Sequence, residues 1–424
     1  MQAAEKLHKF EQGGVYVLLD INSGAVYEVD RETFQLPYAR LCELLNLDVS
    51  TDTPDYSEYA DMNVNAPLKA MCLHVSHDCN LKCRYCFADG ITQENAIMTA
   101  ETAKRAVDFL LANCGEREHL EIDFFGGEPL MAWETVVETV EYAKTQARSA
   151  SKEFRFTITT NGLLLDDEKT AYINREMSNV VLSLDGRREI NDAMRPCMSG
   201  KGSYDLILPK FKKLIAARIN PGFTDYFIRG TFTRNNLDFA ADVQAIAALG
   251  FRNISIEPVA LPDTSPLALT LHDLPRIKSE YDRLFEVVRE NNDGLWNFFH
   301  FRVDLEGGPC ILKRLRGCGA GNEYVAVTPD GAVYPCHRYV GMERWKMGNI
   351  NGGGLDSSIK EYFAKTHIYA KEKCLECWAR FYCGGGCNAE NFLFEGDSRT
   401  PPEMFCEMFK KRLECAIALA VINT

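Results

Sequence analysis

Three cysteines, Cys79, Cys83 and Cys86, lie in the stretch HVSHDCNLKCRYCFADG, with three and then two residues between them. Three thiolates on one tight loop can hold three irons of a four-iron cluster. The fourth iron is then left for a substrate or cosubstrate. A closed structural zinc site uses four ligands, and the fourth here would have to be His74 or His77. A second constellation begins with Cys318 and Cys336. It continues as Cys374-x2-Cys377-x5-Cys383-x3-Cys387 and ends with Cys406 and Cys415. Cysteine pairs two residues apart are a common way to place two thiolates on one metal. Four of these cysteines could make a zinc ribbon, but there are too many for a single zinc.

The whole chain of 424 residues has 16 cysteines and a formal charge of −13. Its length suggests two or three domains. The acidic balance argues against nucleic acid as the main partner, because phosphate binding wants a basic face. The opening MQAAEKLHKFEQGG lacks an apolar core segment and is not a signal peptide. No run of about 18 apolar residues suggests a membrane span. A cytoplasmic location follows as the expectation, and there clustered cysteines bind metal more often than they form disulfides. Cys42, Cys72, Cys114 and Cys197 stand alone and read as small buried hydrophobes.

The elements that must position these cysteines fall into three regions, 1–65, 66–305 and 306–424. In the first, Val15 to Asp30 alternates around an Asn22-Ser23-Gly24 turn, as in a hairpin. A helical pattern follows from Glu32 to Leu47, with a break at Pro37. The stretch Thr51 to Asp61 reads as a polar linker. The second region alternates strands at Met71–Ser76, Leu120–Phe125, Arg155–Thr160, Val180–Leu184, Phe227–Thr233 and Asn253–Val259 with helical patterns. The helices are expected at Ala100–Asn113, Trp133–Ser149, Asp166–Arg175, Tyr204–Ala217 and Asp238–Leu249, with one more over 273–291. Six such units predict an α/β fold, a parallel sheet curled by right-handed crossovers into a partial (β/α)6 TIM-like barrel. Chemistry in such a barrel sits at the C-terminal ends of its strands. After Cys310 come short strands, glycine-rich turns and cysteines, organised more by metal than by a large core.

The Cys-x3-Cys-x2-Cys spacing, with Tyr85 just before the last cysteine, resembles the signature of radical S-adenosylmethionine (SAM) enzymes. Gly126-Gly127-Glu128-Pro129, Thr160-Asn161-Gly162 and Ser183-Leu184-Asp185-Gly186 stand at successive strand ends where that family has its motifs. The resemblance implies that SAM chelates the open iron and is cleaved by an electron to a 5′-deoxyadenosyl radical, which abstracts hydrogen. It also implies that Gly127 and Glu128 lie near the SAM amino group. Ser183 would meet the ribose, Arg195 the carboxylate, and Tyr85 and Ile256 the adenine. The later cysteines resemble the SPASM extension of radical SAM enzymes that act on peptides. That resemblance implies two auxiliary four-iron clusters, making three [4Fe-4S] clusters with the SAM-binding one. One auxiliary cluster would use Cys374, Cys377, Cys383 and Cys406, and the other Cys318, Cys336 and Cys387. Where the pattern has another cysteine, this chain has residues such as Asn322, which leaves either an open iron or a role for Cys310. Cys415 is unassigned and fits a core position on a helix from Met404 to Ala420.

Anaerobic sulfatase-maturating enzymes share this architecture but carry an aspartate as proton acceptor after the second cysteine of the extension. Here that position is His337, which could act as a base near neutral pH. The N-terminal region resembles the winged-helix-like peptide-recognition lobe of peptide maturases. There a leader segment adds a strand to a sheet edge. LHKFEQGGVYVLLDINSGAVYEVD and GCGAGNEYVAVTPDGAVYPCH are similar to the maturases of "six cysteines in forty-five residues" (SCIFF) peptides. The implied reaction is a thioether crosslink in a small Cys-rich precursor peptide with a leader. The implied reductant is an electron donor such as flavodoxin or ferredoxin.

Overall fold

The computed structural model describes residues 6–47, 56–61, 66–88, 96–218, 225–291, 294–305 and 311–423. Its strands are β1 Leu7–Gln12, β2 Val15–Asp20, β3 Val26–Val29, β4 Ala70–Ser76, β5 His119–Gly126, β6 Glu153–Thr160, β7 Asn179–Ser183, β8 Asp225–Phe232, β9 Asn253–Pro258, β10 Asn297–Phe298, β11 Tyr324–Val327, β12 Ala332–Tyr334, β13 Gly348–Asn349 and β14 Gly352–Leu355. The chain divides into two compact units. One gathers residues 1–62, 270–317 and 366–424, and the other 63–269 and 318–365.

In the first unit β1, β2 and β3 form an antiparallel sheet in that order. Gly13 and Gly14, both at positive φ, close the β1–β2 hairpin, a conformation that suits the two-residue turn. Helices α1 (Arg31–Phe34) and α2 (Tyr38–Leu44) follow, broken at Pro37 as expected. Leu7, Leu18, Leu41 and Cys42 make a small core beneath the sheet. Strand β1 was not anticipated, and the Gly13-Gly14 pair was its available signal. Part of the expected linker is instead a short helix, α3 (Ser57–Asp61), because Ala60 packs with Leu315, Ile368, Cys374 and Phe381. The expected helix over 273–291 spans Leu274–Arg289, and it packs on the long C-terminal helix Glu403–Ile422. Lys278 and Glu407 join the two at 2.7 Å. Cys415 is fully buried there, its thiol donating to the Tyr281 carbonyl at 3.7 Å.

In the second unit β4 to β9 lie side by side in sequence order, every pair parallel. The six expected strands agree with these to within two residues at each end. On the other side of β4 the sheet continues through β11, which is parallel to it, and then through antiparallel β12, β13 and β14. The sheet is therefore mixed, and part of the cysteine-rich region extends it. The two faces differ. Leu120, Ile122 and Phe124 on β5 and Phe156 and Ile158 on β6 are buried, as a helix-covered face requires. Between them Glu121 and Arg155 are exposed, and Asp123, Phe125, Thr157 and Thr159 are half-buried. This second face is largely polar. No described helix is long and apolar enough to cross a membrane.

Candidate functional site

The loop carrying Cys79, Cys83 and Cys86 leaves the C-terminal end of β4 and is pinned on three sides. The Asp78 amide donates to Ser76 Oγ at 3.1 Å, and the Cys79 amide to Asp78 Oδ1 at 2.9 Å. Lys82 and Arg84 donate through their amides to the carbonyls of Pro196 and Met194. The third side is the glycine pair after β5. The Gly127 amide donates to the Ser76 carbonyl at 2.7 Å and the Glu128 amide to the Asp78 carbonyl at 2.9 Å. A Cβ on Gly127 would stand 2.3 Å from the Asp78 oxygen, so only glycine allows this approach.

Glu128 is buried, and its carboxylate accepts from Leu130 N at 3.0 Å, Thr160 Oγ1 at 2.6 Å and Asn161 N at 2.8 Å. Burial nonetheless pushes its carboxyl up to about 7, because three donors do not replace water fully. The side chain expected beside an amino group thus also ties the end of β5 to the end of β6. Asn161 extends this tie, with Nδ2 at 2.8 Å from Asn80 Oδ1 and 3.7 Å from Cys79 Sγ.

Asp185 is fully buried beyond β7. It accepts from Arg195 Nε at 2.9 Å, from the Thr231 amide at 2.9 Å and from the Tyr85 hydroxyl at 2.5 Å. The Arg195 guanidinium also lies over the Tyr85 ring, 5.4 Å from its centre. Burial works against the Arg195 charge, but Asp185 outweighs it and holds the pKa above the ordinary value. Tyr85 and Arg195 are therefore brought together beside Cys83. Asp185, third in the Ser183-Leu184-Asp185-Gly186 motif, organises both. Ser183 ends β7 half-buried. Ile256 is buried, on the same face as Ile254 and alongside Gly230.

Burial pushes the Cys79 thiol up to about 12 and that of Cys83 to about 11. Left to themselves these thiols stay protonated, and a bound iron would stabilise the thiolate. Cys79 feels the charge of Cys83 and Cys86, and Cys83 that of Cys86, so the three thiols lie within electrostatic reach. Among the described residues, no three His, Cys, Asp or Glu side chains converge on a single-ion site. A four-iron cubane takes its thiolates at separate corners, so its ligands need only surround it. Three thiols at a strand end, one beside a buried arginine, fit such a cluster with an open corner for SAM.

The first unit holds a similar group. Cys374, Cys377, Cys383 and Cys406, the set that the resemblance implies, lie within electrostatic reach of one another. The amides of Gly385 and Gly386 donate to Cys383. Lys371 is buried among them, its ammonium donating to Gly385 O at 2.7 Å and to Asn388 Oδ1 at 2.8 Å. Four thiols with amide donors and one buried cation suit an anionic cluster. Cys318 and Cys336 belong to the other unit, the first exposed and the second buried, and Cys387 belongs with Lys371. Cys310 lies outside the described residues.

His337 follows Cys336 and packs against Phe125 at 5.0 Å and Phe87 at 5.7 Å between ring centres. Burial, then Arg338 and Arg229, hold its imidazole down to about 3. These surroundings favour its neutral form. His74 and His77 meet edge to face beside it, with both ring nitrogens of each unpartnered. Cys72, expected as a small buried hydrophobe, is buried and lies beside Asp123 and Tyr324. Cys197 is half-buried.

The chain matches the family model of the radical SAM superfamily over residues 73–263 and that of an iron–sulfur cluster-binding domain, SPASM, over residues 318–378. It is 31% identical to an uncharacterized protein of Methanocaldococcus jannaschii, over 67% of this chain and 89% of that one. It is 25% identical to a cysteine-type anaerobic sulfatase-maturating enzyme of Clostridium perfringens, over 82% of this chain and 96% of that one. Its fold is similar to that of Streptococcus suis SuiB bound to precursor peptide SuiA, with a TM-score of 0.55, 16% identity and coverage of 95% and 99%.

Proposed function

Because this chain belongs to the radical SAM superfamily and is a radical SAM enzyme with an iron–sulfur cluster-binding extension, we propose that it forms a thioether crosslink in a small Cys-rich precursor peptide. The crosslink joins a cysteine sulfur to a carbon of another residue. The observation that carries this reading is the first unit. It places a three-stranded sheet with an open edge at β3 in the same compact body as four mutually close cysteines. Among the described residues nothing pairs with the outer side of β3. A leader segment would add there as a fourth strand, gaining main-chain hydrogen bonds without needing a fixed side-chain sequence. SuiB, which shares the fold, is named as binding a precursor peptide.

Cys79, Cys83 and Cys86 would hold the catalytic cluster, and Cys374, Cys377, Cys383 and Cys406 an auxiliary one. Cys318 and Cys336 would serve a second auxiliary cluster. A cluster held by Cys79, Cys83 and Cys86 would, with SAM and a reductant, supply the chemistry of hydrogen-atom abstraction. The protein's own part is to hold these groups and exclude water. Gly127 keeps the cysteine loop against β5, Arg195 and Tyr85 are fixed by Asp185, and Asn161 donates toward Cys79. Electrons would come from a flavodoxin or ferredoxin.

The test is a mass spectrum of a small Cys-rich precursor peptide carrying a leader, after anaerobic incubation with enzyme, SAM and reductant. Loss of two hydrogens, with one cysteine resistant to alkylation, is expected. An unchanged peptide with SAM cleaved would discard this substrate class. The similarity to a cysteine-type sulfatase-maturating enzyme favours a second reading, formylglycine formation. That product exchanges sulfur for oxygen and differs in mass.

A further inference from the structure

The polar face of the second unit carries one row of side chains that no motif accounts for. The strand registers align Ala326 of β11, Cys72 of β4, Asp123 of β5, Thr157 of β6 and Asn179 of β7 side by side. Asp123 stands three residues before Gly126, about 10 Å of strand from the glycine pair that holds the cysteine loop. It is half-buried, on the face that the helices leave uncovered. Thr157 donates a hydrogen bond to it. Among the described residues no cation pairs with it. Glu257, on the same sheet, has Arg229 at 3.7 Å.

We propose that Asp123 is the residue that takes the proton from the substrate cysteine thiol. This rests on the reading of the protein as a modifier of thiol-bearing peptides. The step is a simple transfer: the S–H bond breaks, its proton forms an O–H bond on the Asp123 carboxylate, and a substrate thiolate remains. No electron moves in it. Both crosslinking and formylglycine formation require that the thiol lose its proton, so the assignment does not depend on which product forms.

The groups facing Asp123 are few. Cys72 on β4 and Tyr324 on β11 share a hydrogen bond and lie beside it, with Cys336 next to both. Glu121 precedes it on the same face of β5, opposite Arg155 of β6. Burial, then Glu121, pushes the Asp123 carboxyl up to about 7, while Thr157 pulls the other way. A carboxyl of that strength can accept a proton from a thiol and release it again near neutral pH. Glu121 is exposed and lies two residues toward the start of the strand, which offers the proton a route to solvent.

The experiment uses the reconstituted full chain with the same Cys-rich peptide. In Asp123→Asn, iron content and SAM cleavage should remain while peptide modification falls about 100-fold or more. The wild-type rate should rise along a limb near pH 7 that Asp123→Asn lacks, and Asp123→Glu should restore part of the rate and shift that limb. A merely structural aspartate would not move a pH profile in this way. Modification by Asp123→Asn at the wild-type rate, or with an unchanged limb, would overturn the proposal. If the wild type leaves the peptide untouched, the functional reading falls, and the infrared carboxyl band lost in Asp123→Asn decides alone. A band that titrates near neutrality upholds a proton acceptor on this face, and its absence overturns one.

Discussion

The His8 imidazole lies flat on the Trp378 indole, with ring centres 3.7 Å apart and planes 7° from parallel. His8 belongs to β1, and Trp378 follows directly on Cys377. Glu414 Oε1 accepts from Nε2 of the same imidazole at 3.0 Å, which fixes the ring over the indole. The sheet expected to bind a leader is thereby fastened to a candidate cluster loop.

Replacing His8 by Ala should loosen that fastening by roughly 0.5–1.5 kcal/mol beyond the lost area. Trp378→Ala should cost a similar coupling, and the double variant little more than either alone. A double-mutant cycle read by hydrogen exchange in β1 and β2 measures this. Additive effects would show that the stack couples nothing.

Replacing Cys79, Cys83 and Cys86 together by Ala should abolish SAM cleavage. Iron should fall by about four atoms per chain, the content of one cubane. The absorbance of the remaining clusters should persist. Surviving cleavage would place the catalytic cluster elsewhere.

Glu128 gives a pH prediction. Its carboxyl is pushed up to about 7 from an ordinary value of 4.5. The native state keeps a proton that the unfolded chain has already lost between these values. The stability linked to this group should therefore be highest below about pH 4.5, fall by roughly 3 kcal/mol as pH rises to 7, and stay flat above. In Glu128→Gln that slope should vanish. The variant should also lose about 1–3 kcal/mol, because its amide must oppose one of the three donors. Urea midpoints across this pH range settle both points.

Lys371 is 1% exposed and its ammonium is held by two oxygens beside Cys374 and Cys383. Lys371→Met should lower the midpoint potential of the neighbouring cluster, since an anionic cluster loses its nearest buried cation. It should also destabilise the unit by about 1–3 kcal/mol, the cost of taking from Asn388 Oδ1 its Lys371 donor, while the Gly385 carbonyl keeps Asn391 Nδ2 at 3.2 Å. Lys371→Arg should keep the potential closer to that of the wild type. Redox titration followed by electron paramagnetic resonance is the measurement.

Much of the sheet was legible because its signals are local. Apolar runs bounded by turns give β4 to β9, and the 3.6-residue period gives the helices between them. The set Cys374, Cys377, Cys383 and Cys406 came from the resemblance to the SPASM extension, since the spacing alone would also suit a zinc ribbon. What escaped were relationships between distant segments. Nothing in Tyr324–Val327 says that it pairs with β4, because a strand's neighbour is chosen by the whole sheet. An acid at position 123 looks like any solvent-facing strand residue until its row on the polar face is known. His337 matched a base by position, whereas its burial against Phe125 and Phe87 and the charge of Arg229 come from distant parts of the sequence, and only Arg338 is its neighbour in the chain.

The pairing of β11 with β4 also has a meaning for the birth of the protein. The strand that carries the cysteine loop gains its second neighbour only after the whole run from β5 to β9 has left the ribosome. Until then one side of β4 is a bare row of amides and carbonyls, open to any passing strand. Such long-range closure is slow, so the nascent sheet waits exposed for its last partner. A chain cut before Tyr324 would keep that edge permanently. Soluble yield should therefore drop sharply on such a truncation and recover when the edge strand is restored.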